Sequence, residues 1–433
     1  MDIILSLFFL GLNGMYDKEI KMLEKLKESD EEIFNLVKKE MEKEQGSINL
    51  IASENIASFG VRSAVGSIFV NRYAEGCVGN RFFGGCENID RVEELAIKRA
   101  KKLFKCSYVN VQAYSGSCAN LAVYFALLKP GDSVLGLSLN AGGHITHGSP
   151  YNISGELYNF IPYGLDEKTE LIDYDELKRL AKEKKPKMIV AGASAYPRII
   201  DFEKIYKIAR EVGAYLMVDI AHIAGLICAG LYPSPFGFCD VVTATTNKTL
   251  RGPRSGLILC DDYEIAKKID KALFPGLQGG PFIGTIAGVA VCFKEALTKE
   301  FREYQENIIK NSKRLAKELM DRGIKLISNG TDIHFSLIDL RKFKITGQEM
   351  QKRLESINII VNKNTVLNDE ERPSITSGIR VGTPLITTRG FKENDMEEIA
   401  KCIYMVLEDF EGNRERCLEV VKNLVLKYPI LNF

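Results

Sequence analysis

The middle of the chain alternates apolar and amphipathic segments, and this alternation constrains the fold more than any other feature. Short apolar runs at Ser133–Leu137, Met188–Ala191 and 215–218 predict strands, and the segments Tyr174–Lys184 and Phe202–Val212 predict helices. Strands that are connected through helices lie parallel in one sheet, with helices on both faces. We therefore expect an α/β fold built on a large, mostly parallel sheet.

A change of pattern near residue 290 indicates a second domain. Residues 289–322 predict a broken helical region, and short strands are expected near 335–340 and 357–361. Further helices are predicted at Gly347–Ser356, 393–408 and 414–427. A chain of 433 residues is also too long for one small core. We expect an N-terminal extension and helical arm over residues 1–50, a large domain over 51–290 and a smaller α+β domain over 291–433.

The N-terminal segment contains an apolar run and then a charged helix. Residues 3–12 are apolar, but they lack the basic flank of a signal peptide and are too short to span a membrane. We expect Met15 to be the true first residue. Residues 17–43 predict one amphipathic helix. Its apolar face consists of Ile20, Leu23, Leu26, Ile33, Leu36 and Val37.

Composition excludes several functional classes. The net charge is +1, so the chain lacks the basic excess that nucleic acids or anionic membranes attract. The ten cysteines contain no CxxC pair, which argues against a zinc site or a disulfide framework. We expect no metal and a reducing, cytoplasmic setting.

Lys248 stands between two predicted strands, at 241–246 and 256–259. Desolvation lowers the pKa of an amine, and a neutral amine attacks a carbonyl to form a Schiff base. A lysine near a strand end is more often a solvated turn residue. The functional interpretation therefore depends on the other motifs of the chain.

Asp219 follows the apolar run 215–218 directly, so both Asp219 and Lys248 are predicted at carboxyl ends of strands. Ligands of such sheets bind at this edge. A carboxylate there is costly to bury without a cationic or N–H partner. The two side chains together predict a ligand site at the edge of the sheet.

Further candidate side chains each have a plain structural alternative. The Ser-Gly-Ser run at 115–117 precedes a predicted helix, where it binds a phosphate or merely caps the helix. His144 lies among glycines and presents its ring either to a flat ligand or to solvent. Glu75, in a glycine-rich loop, is an acid or base only if that loop lines a pocket. Arg380, in a predicted strand, binds either a structural or a ligand carboxylate.

Taken together, these segments resemble the serine hydroxymethyltransferases, which are pyridoxal-phosphate enzymes of the aspartate-aminotransferase fold type, fold type I. The resemblance runs from about Asn49 to the C-terminus. It rests on these segments: LIASEN at 50–55, YAEG at 73–76, SGS at 115–117, GGHITHG at 142–148, VDIAHIAG at 218–225, TNKTLRGPR at 246–254 and SGIRVGTP at 377–384.

The resemblance implies pyridoxal 5′-phosphate as the cofactor. Lys248 then forms the Schiff base, Asp219 pairs with the ring nitrogen and His144 stacks on the ring. His222 and Ser194 lie near the 3′-oxygen of the ring. The phosphate is bound by the following residues, the last two of them from a partner subunit: Ser115, Gly116, Ser117, Tyr73 and Gly280.

The resemblance also implies serine, glycine and a reduced pterin as substrates of a homodimer with shared active sites. Arg380 binds the substrate carboxylate, and Ser53 lies near the substrate. Tyr73 and Glu75 reach the substrate from the partner subunit, and Glu75 moves protons at the serine hydroxyl and the pterin. Gly143 and Asn368 match the positions that hold the pterin.

The sequence departs from the family pattern beside the lysine and after Glu75. Asn247 replaces a histidine, which alters the surroundings of the lysine without preventing the Schiff base. Phe82 and Phe83 replace two tyrosines, so one hydroxyl of the family's site is missing. The pterin-contacting segments leave two carriers open, tetrahydrofolate or, as an archaeal form of the family would use, tetrahydromethanopterin.

The predicted function is reversible transfer of the hydroxymethyl carbon of serine to a reduced pterin, which leaves glycine. The alternative is an aldolase that cleaves threonine-type β-hydroxy amino acids with the same cofactor. Both reactions need Lys248, Asp219 and Arg380, so pterin dependence is what separates them. A non-catalytic scaffold or RNA-binding protein that descends from the enzyme is disfavoured by the retained lysine and by the absence of a basic excess.

Overall fold

The structure is a computed structural model that describes residues 17–430, with side chains from residue 23 onward. The apolar run 3–12 and Met15 lie outside the described residues. The N-terminal arm consists of helices α1 (Asp17–Ser29) and α2 (Glu31–Gly46), and strand β1 (Ile48–Asn49) follows it.

The prediction of one helix over residues 17–43 is wrong at Asp30. The backbone of Asp30 is extended, with φ −157° and ψ 97°, and its carboxylate accepts a hydrogen bond from the N–H of Ile33 at 3.0 Å. Asp30 therefore ends α1 and caps α2. On the predicted apolar face, Ile33 and Leu36 are 46% and 60% exposed.

A seven-stranded sheet forms the centre of the structure. After the small hairpin of β2 (Gly76–Cys77) and β3 (Asn80–Arg81), the chain contributes seven strands to it. They are β4 (Tyr108–Asn110), β5 (Ser133–Leu137), β6 (Asn159–Tyr163), β7 (Met188–Ala191), β8 (Tyr215–Asp219), β9 (Val241–Thr245) and β10 (Gly256–Cys260). Their spatial order is β4-β10-β9-β8-β7-β5-β6. Only β10 runs antiparallel to its neighbours β4 and β9, so the predicted mostly parallel sheet is confirmed.

Helices cover both faces of this sheet. They are α3 (Phe59–Val65), α4 (Glu87–Phe104), α5 (Gly116–Leu127), α6 (Ile153–Leu157), α7 (Tyr174–Lys184), α8 (Phe202–Val212), α9 (Ala224–Cys228), α10 (Tyr263–Lys271) and α11 (Ile283–Ala296). Single helical turns lie at Ile68–Asn71, Leu139–Ala141 and Ala272–Leu277. Strands β7 and β10 are apolar and buried along their whole length, because neither face of a covered sheet meets water.

A smaller antiparallel sheet lies in the C-terminal part of the chain. Helix α12 (Lys299–Asp321) leads into it. Strand β13 (Ile359–Ile360) lies outside this sheet and pairs with β1. The small sheet consists of β11 (Lys325–Leu326), β12 (Phe335–Asp339), β14 (Asn362–Asn364) and β15 (Gly378–Gly382), in the spatial order β11-β12-β15-β14. Its helices are α13 (Gly347–Ser356), α14 (Pro384–Arg389), α15 (Asp395–Glu408) and α16 (Phe410–Lys427), with single turns at Ile327–Asn329 and Arg341–Phe343.

The hydrophobic core changes from one cluster to another along α12. Phe301 and Ile308 pack with the large sheet, whereas Leu315 and Leu319 pack with the small one. Ile48 of β1 also packs with the small sheet, because β1 pairs in parallel with β13. The domain boundaries after residues 50 and 290 stay predictions.

Within residues 17–430, none of the helices is both long and apolar enough to cross a membrane. In the same range, no three side chains of the His, Cys, Asp and Glu types gather as a metal site requires. All ten cysteines are unpaired.

Candidate active site

A cavity of about 640 Å³ lies at the carboxyl edge of β8 and β9, beside the N-terminus of α5. It brings together side chains that are far apart in the sequence. The predicted site residues that line it are Ser53, Ser115, Gly116, Ser117, His144, Ser194, Asp219, His222, Lys248 and Arg380. Asn247 and Arg254 line it as well.

The parallel pairing of β8 and β9 brings Asp219 and Lys248 to one end of the sheet. Asp219, the last residue of β8, stands opposite Thr243, and Lys248 follows the end of β9 by three residues. The loop after β9 is closed by a hydrogen bond from the N–H of Gly252 to the Thr246 carbonyl at 2.7 Å. The side chain of Asn55 donates to the Lys248 carbonyl at 2.9 Å, so the lysine backbone is held from the N-terminal side.

The Lys248 amine is poised to lose its proton near neutral pH. Burial lowers its pKa to about 8, and the positive charges of Arg380 and Arg254 act in the same direction, while Asp219 opposes them. A neutral amine is the nucleophilic form. Lys248 therefore has the chemistry expected for covalent attachment of a carbonyl compound.

Asp219 is held as an anion by its hydrogen bonds. Burial raises its pKa, but donors outweigh that effect and hold the pKa well below its usual range. His147 lies 3.2 Å from Oδ2 through Nε2, and Asn120 donates to the same oxygen at 2.9 Å. The N–H of Ala221 donates to Oδ1 at 2.9 Å. The carboxylate can thus hold a cationic N–H of a ligand.

His144 faces the same cavity as a neutral ring. Burial lowers its pKa to about 4, against an opposing effect of Asp219. Its Nδ1 lies 2.7 Å from the hydroxyl of Thr146, which fixes the ring orientation. A neutral, oriented imidazole is suited to lying flat against an aromatic ligand.

Arg380 points into the cavity from β15 of the small sheet. It donates from Nε to Oδ1 of Asn362 at 3.2 Å and from Nη1 to the Ser194 carbonyl at 2.6 Å. Burial lowers its pKa to about 10, so it stays cationic at neutral pH. No carboxylate pairs with it among the described residues, which leaves its charge for a ligand carboxylate.

The N-terminus of α5 lines another side of the cavity. The hydroxyl of Ser115 accepts a hydrogen bond from the N–H of Cys118 at 3.2 Å, which starts the helix. The first N–H groups of a helix lack intrahelical partners and attract anions. A Cβ on Gly116 would lie 2.5 Å from Cγ2 of Thr245, so only glycine lets the helix start this close to β9.

Some predicted site residues do not line this cavity in the described part of the chain: Tyr73, Glu75, Gly143, Gly280 and Asn368. Tyr73 and Glu75 instead lie beside the Gly279-Gly280 backbone of the same chain. The hydroxyl of Tyr114 donates to the Gly280 carbonyl at 2.9 Å. Because Tyr114 adjoins Ser115, this hydrogen bond holds Gly280, and with it Tyr73 and Glu75, next to the N-terminus of α5.

Two residues that sequence reasoning did not assign support Asp219. His147 belongs to the same motif as His144, and Asn120 follows the Ser-Gly-Ser run on α5. The sequence signal for Asn120 is a single amide in an otherwise apolar helical segment, because such an amide needs a polar partner when it is buried, as Asn120 is. The sequence did not reveal that this partner is Asp219, because the pairing depends on how α5 packs on the sheet.

A comparison with protein-family models assigns the chain to a family. Residues 26–403 of 433 match the model described as "Serine hydroxymethyltransferase". The match includes both sheets and every residue that lines the cavity. The chain therefore belongs to the serine hydroxymethyltransferase family, whose members use pyridoxal 5′-phosphate to transfer the hydroxymethyl group of serine to a pterin carrier and release glycine.

Proposed function

We propose that the cavity around Lys248 is the active site of this transferase and that its residues take the roles that their geometry favours. The observation that carries this proposal is the pairing, in one cavity, of a readily deprotonated amine with a buried anionic carboxylate. Lys248 has a pKa of about 8, while Asp219 is held ionised by His147 and Asn120.

The donor set of the cavity fits pyridoxal 5′-phosphate. The Lys248 amine suits the aldehyde of the cofactor, and Asp219 suits its protonated ring nitrogen. The N-terminus of α5 suits the phosphate, together with Ser115, Gly116 and Ser117. We assign His222 and Ser194 to the ring oxygen and His144 to the ring face, because all three line the cavity. When bound, the cofactor supplies an electron sink for the bond-breaking step.

The residues that would surround the cofactor ring keep its nitrogen protonated. Asp219 holds a proton on the ring nitrogen, because an ionised carboxylate stabilises a cationic N–H. Asn120, His147 and the N–H of Ala221 hold Asp219 in place and keep it ionised. His144 stays neutral, so it adds no positive charge that would compete for Asp219.

The substrate side of the cavity is built around Arg380. Its guanidinium group is oriented by Asn362 and the Ser194 carbonyl and has no carboxylate partner within residues 17–430. We propose that it binds the substrate carboxylate, with Ser53 near the amino acid. The planar fork of arginine fixes the substrate in one orientation.

We also propose that the active site is completed by a second copy of the chain in a homodimer. Tyr73, Glu75 and Gly280 lie together outside the cavity of their own subunit, at an exposed aromatic surface. Tyr73 and Phe82 are 60% and 74% exposed there. Tyr73 and Gly280 would contact the phosphate and Glu75 the serine hydroxyl of the partner's site.

The pterin carrier is proposed to bind near Gly143 and Asn368. The side chains of Leu139 and Ile145, on either side of Gly143, are apolar and exposed, which suits a flat pterin ring. The backbone of Asn368 is fixed by a hydrogen bond from Arg341 to its carbonyl at 3.3 Å. The carrier is tetrahydrofolate or tetrahydromethanopterin. We place the protein in the cytoplasm, where its ten unpaired cysteines stay reduced.

The deciding experiment measures glycine formation from serine with tetrahydrofolate, with tetrahydromethanopterin and without a carrier. We expect formation that depends on one of the two pterins and is lost in Lys248→Ala. The matched control is Lys267→Ala, which removes an exposed lysine on α10. Equal rates with and without a pterin would indicate the aldolase alternative, and no product under any condition would contradict the proposal.

A further inference from the structure

The loop between β14 and β15 carries Asn368, one of the two positions proposed for the pterin. It consists of residues 365–377 and is called the 365–377 loop below. Asn368 is exposed, and its backbone is left-handed, with φ 53°. Asparagine tolerates this conformation better than most residues. Such a conformation still persists only where neighbouring contacts hold it.

The carboxylate of Asp369, the next residue, accepts four hydrogen bonds. Oδ1 accepts from the Ser377 hydroxyl at 2.6 Å and from the N–H of Glu371 at 3.0 Å. Oδ2 accepts from the N–H of Ser377 at 2.9 Å and from the N–H of Val366 at 3.2 Å. Burial raises the pKa of Asp369, but these donors outweigh burial and hold the pKa below its usual range. Asp369 therefore joins the two ends of the 365–377 loop as an anion.

Ser377, at one end of the loop, is fixed to the small sheet. It directly precedes β15, and its carbonyl accepts a hydrogen bond at 2.9 Å from the N–H of Leu340, which follows β12. Strand β15 also contains Arg380. Groups that are held by strands are placed more precisely than groups on free loops. The hydrogen bonds of Asp369 thus tie the Asn368 segment to the strand that carries Arg380.

Two further contacts hold the loop against the same sheet. A Cβ on Gly378 would lie 2.6 Å from Cγ1 of Val366, so the absence of a side chain lets the loop pack closely on β15. Arg341 donates from Nη1 to the Asn368 carbonyl at 3.3 Å. Asp339 of β12 orients Arg341, because it accepts a hydrogen bond from Nη2 at 2.7 Å. The backbone of Asn368 is therefore held from β12 as well as from β15.

The loop also borders a narrow cleft that reaches the segment before Gly143. Leu367 lines this cleft together with Asn140 and Ala141. Ala141 lies two residues before Gly143, and Leu367 directly precedes Asn368. The two positions proposed for the pterin thus adjoin segments that line one cleft.

We propose that Asp369 is a positioning residue for the pterin carrier. It holds Asn368 in a fixed place relative to Arg380, so that the carrier and the amino acid meet at one separation. Transfer of a carbon between two bound molecules requires that the reacting atoms be held close together. This role rests on the proposed function, because it requires Asn368 to contact the carrier and Arg380 to bind the substrate carboxylate.

Asp369→Asn tests this role with little change in side-chain size. Each carboxylate oxygen accepts two hydrogen bonds, so the amide variant loses two acceptors and turns its NH₂ group toward donors. The experiment titrates holoenzyme that is saturated with glycine, once with tetrahydrofolate and once with tetrahydromethanopterin. We expect roughly tenfold weaker carrier binding in Asp369→Asn. The affinity for glycine should change by less than about twofold, because Arg380 stays in its strand.

Two further variants complete the comparison. Ser377→Ala removes a single hydrogen bond to Asp369 and should weaken carrier binding by about threefold. Glu370→Gln is the matched control, because it removes a charge from an exposed neighbour in the same loop and should bind the carrier as the wild type does. Wild-type carrier affinity in Ser377→Ala would contradict the role of Asp369, even if Asp369→Asn does not fold.

Hydrogen exchange measures the state of the loop without any pterin. In holoenzyme, the amides of the 365–377 loop should exchange about tenfold faster in Asp369→Asn than in the wild type, because the loop opens more often. Glu370→Gln should exchange at the wild-type rate. Unchanged exchange in Asp369→Asn would mean that its hydrogen bonds do not hold the loop, which would overturn the proposal.

The binding results distinguish this role from the proposed function. Equal losses of carrier and glycine affinity in Asp369→Asn would mean that Asp369 only supports the fold, and the positioning role would be wrong. A wild-type protein that binds one pterin, with the same affinity in Asp369→Asn, would overturn the role of Asp369 alone. A wild-type protein that binds neither pterin would refute the proposed function, and this role with it.

Discussion

The amine of Lys248 gains its reactivity from its surroundings. It lies in a cavity that also contains the cations Arg254 and Arg380, and Asp219 is the anion that offsets them. The other cationic side chains of its loop, Arg251 and Arg254, stay protonated and are not nucleophiles. Lys248 is thus the only amine in this loop that can attach the cofactor.

Lys248→Ala should abolish covalent attachment of pyridoxal phosphate, because no neighbouring side chain replaces the amine. The measurement is borohydride reduction of the protein with the cofactor, followed by mass spectrometry of its peptides. Lys267→Ala, at an exposed position, should retain full labelling. Cofactor trapped at a different lysine in the Lys248→Ala protein would show that the assignment is wrong.

The pH dependence of cofactor capture should report the lowered pKa of Lys248. The amine is cationic below a pKa of about 8 and neutral above it, and only the neutral form attacks a carbonyl. The capture rate of ligand-free protein should therefore rise about tenfold per pH unit well below that value and level off above it. A rise that continues to the ordinary lysine range, near 10.4, would mean that burial does not lower the pKa of Lys248.

Asp219→Asn should leave the cofactor bound but slow the reaction by on the order of a hundredfold, as loss of one preorganised charge does. The amide cannot hold a proton on the ring nitrogen, and it places an NH₂ group near Asn120 or His147, which donate to Asp219 in the wild type. The measurement is kcat for glycine formation. Asp321→Asn, near the exposed end of α12, is the control, and a wild-type kcat for Asp219→Asn would remove Asp219 from the mechanism.

At the scale of single residues, sequence reasoning found the groups that face the cavity better than those that support them. Lys248, Asp219 and Arg380 were predicted from strand ends and motifs, and the structure brings them to one cavity. His147 and Asn362 were missed as supports because their partners, Asp219 and Arg380, lie far away in the sequence. A hydrogen bond between distant segments leaves no local pattern to read.

At the scale of elements, the site depends on how closely α5 approaches β9. Gly116 begins the helix, and a Cβ at this position would lie 2.5 Å from Cγ2 of Thr245, the last residue of β9. Contacts this short force one of the elements to move. The N-terminus of α5, where we propose that the phosphate binds, is therefore placed by a strand that also leads to Lys248.

Gly116→Ala should lower the affinity for pyridoxal phosphate roughly tenfold, because the helix start moves away from its place at the cavity. The additional change Thr245→Ser removes the methyl group in question and should restore most of that affinity. Gly164→Ala is the control, since a Cβ there has no neighbour within 4 Å. A double variant no better than Gly116→Ala would show that the clash is not the cause.

The type of most elements could be predicted from periodicity, but their pairing could not. The strands Ser133–Leu137 and Met188–Ala191 have the predicted bounds, since their apolar runs end where the chain leaves the core. The break at Asp30 was missed because a capping aspartate on a charged helix looks like one more surface residue. The pairing of β1 with β13 joins residues more than 300 apart, which local sequence patterns do not encode.

At the scale of the whole molecule, the proposed role of Glu75 requires it to reach a substrate from a position outside the cavity, where Glu75, Tyr73 and Phe83 form one group. Glu75 lies beside Gly279 and outside the cavity of its own chain. Tyr73 and Phe83 meet edge to face in this group, with centroids 5.5 Å apart, and both are exposed. Large exposed aromatic surfaces mark interfaces. A two-fold interface would place each group at the site of the other subunit, because one patch then serves both sites.

Mixed dimers test this arrangement directly. Lys248→Ala removes the amine of one subunit's cavity, and Glu75→Gln removes the proton carrier that the same subunit would lend to its partner, so each homodimer should be inactive. In a hybrid, one site combines the defects and the other is intact. An equal mixture after subunit exchange contains about half hybrids, so about a quarter of the wild-type rate of glycine formation should return. The control mixes Lys248→Ala with Asp219→Asn, whose defects lie in the same cavity as Lys248 and leave each hybrid without an intact site. If subunit exchange is verified by differential labelling and no activity returns, Glu75 acts within its own subunit and the shared site is wrong.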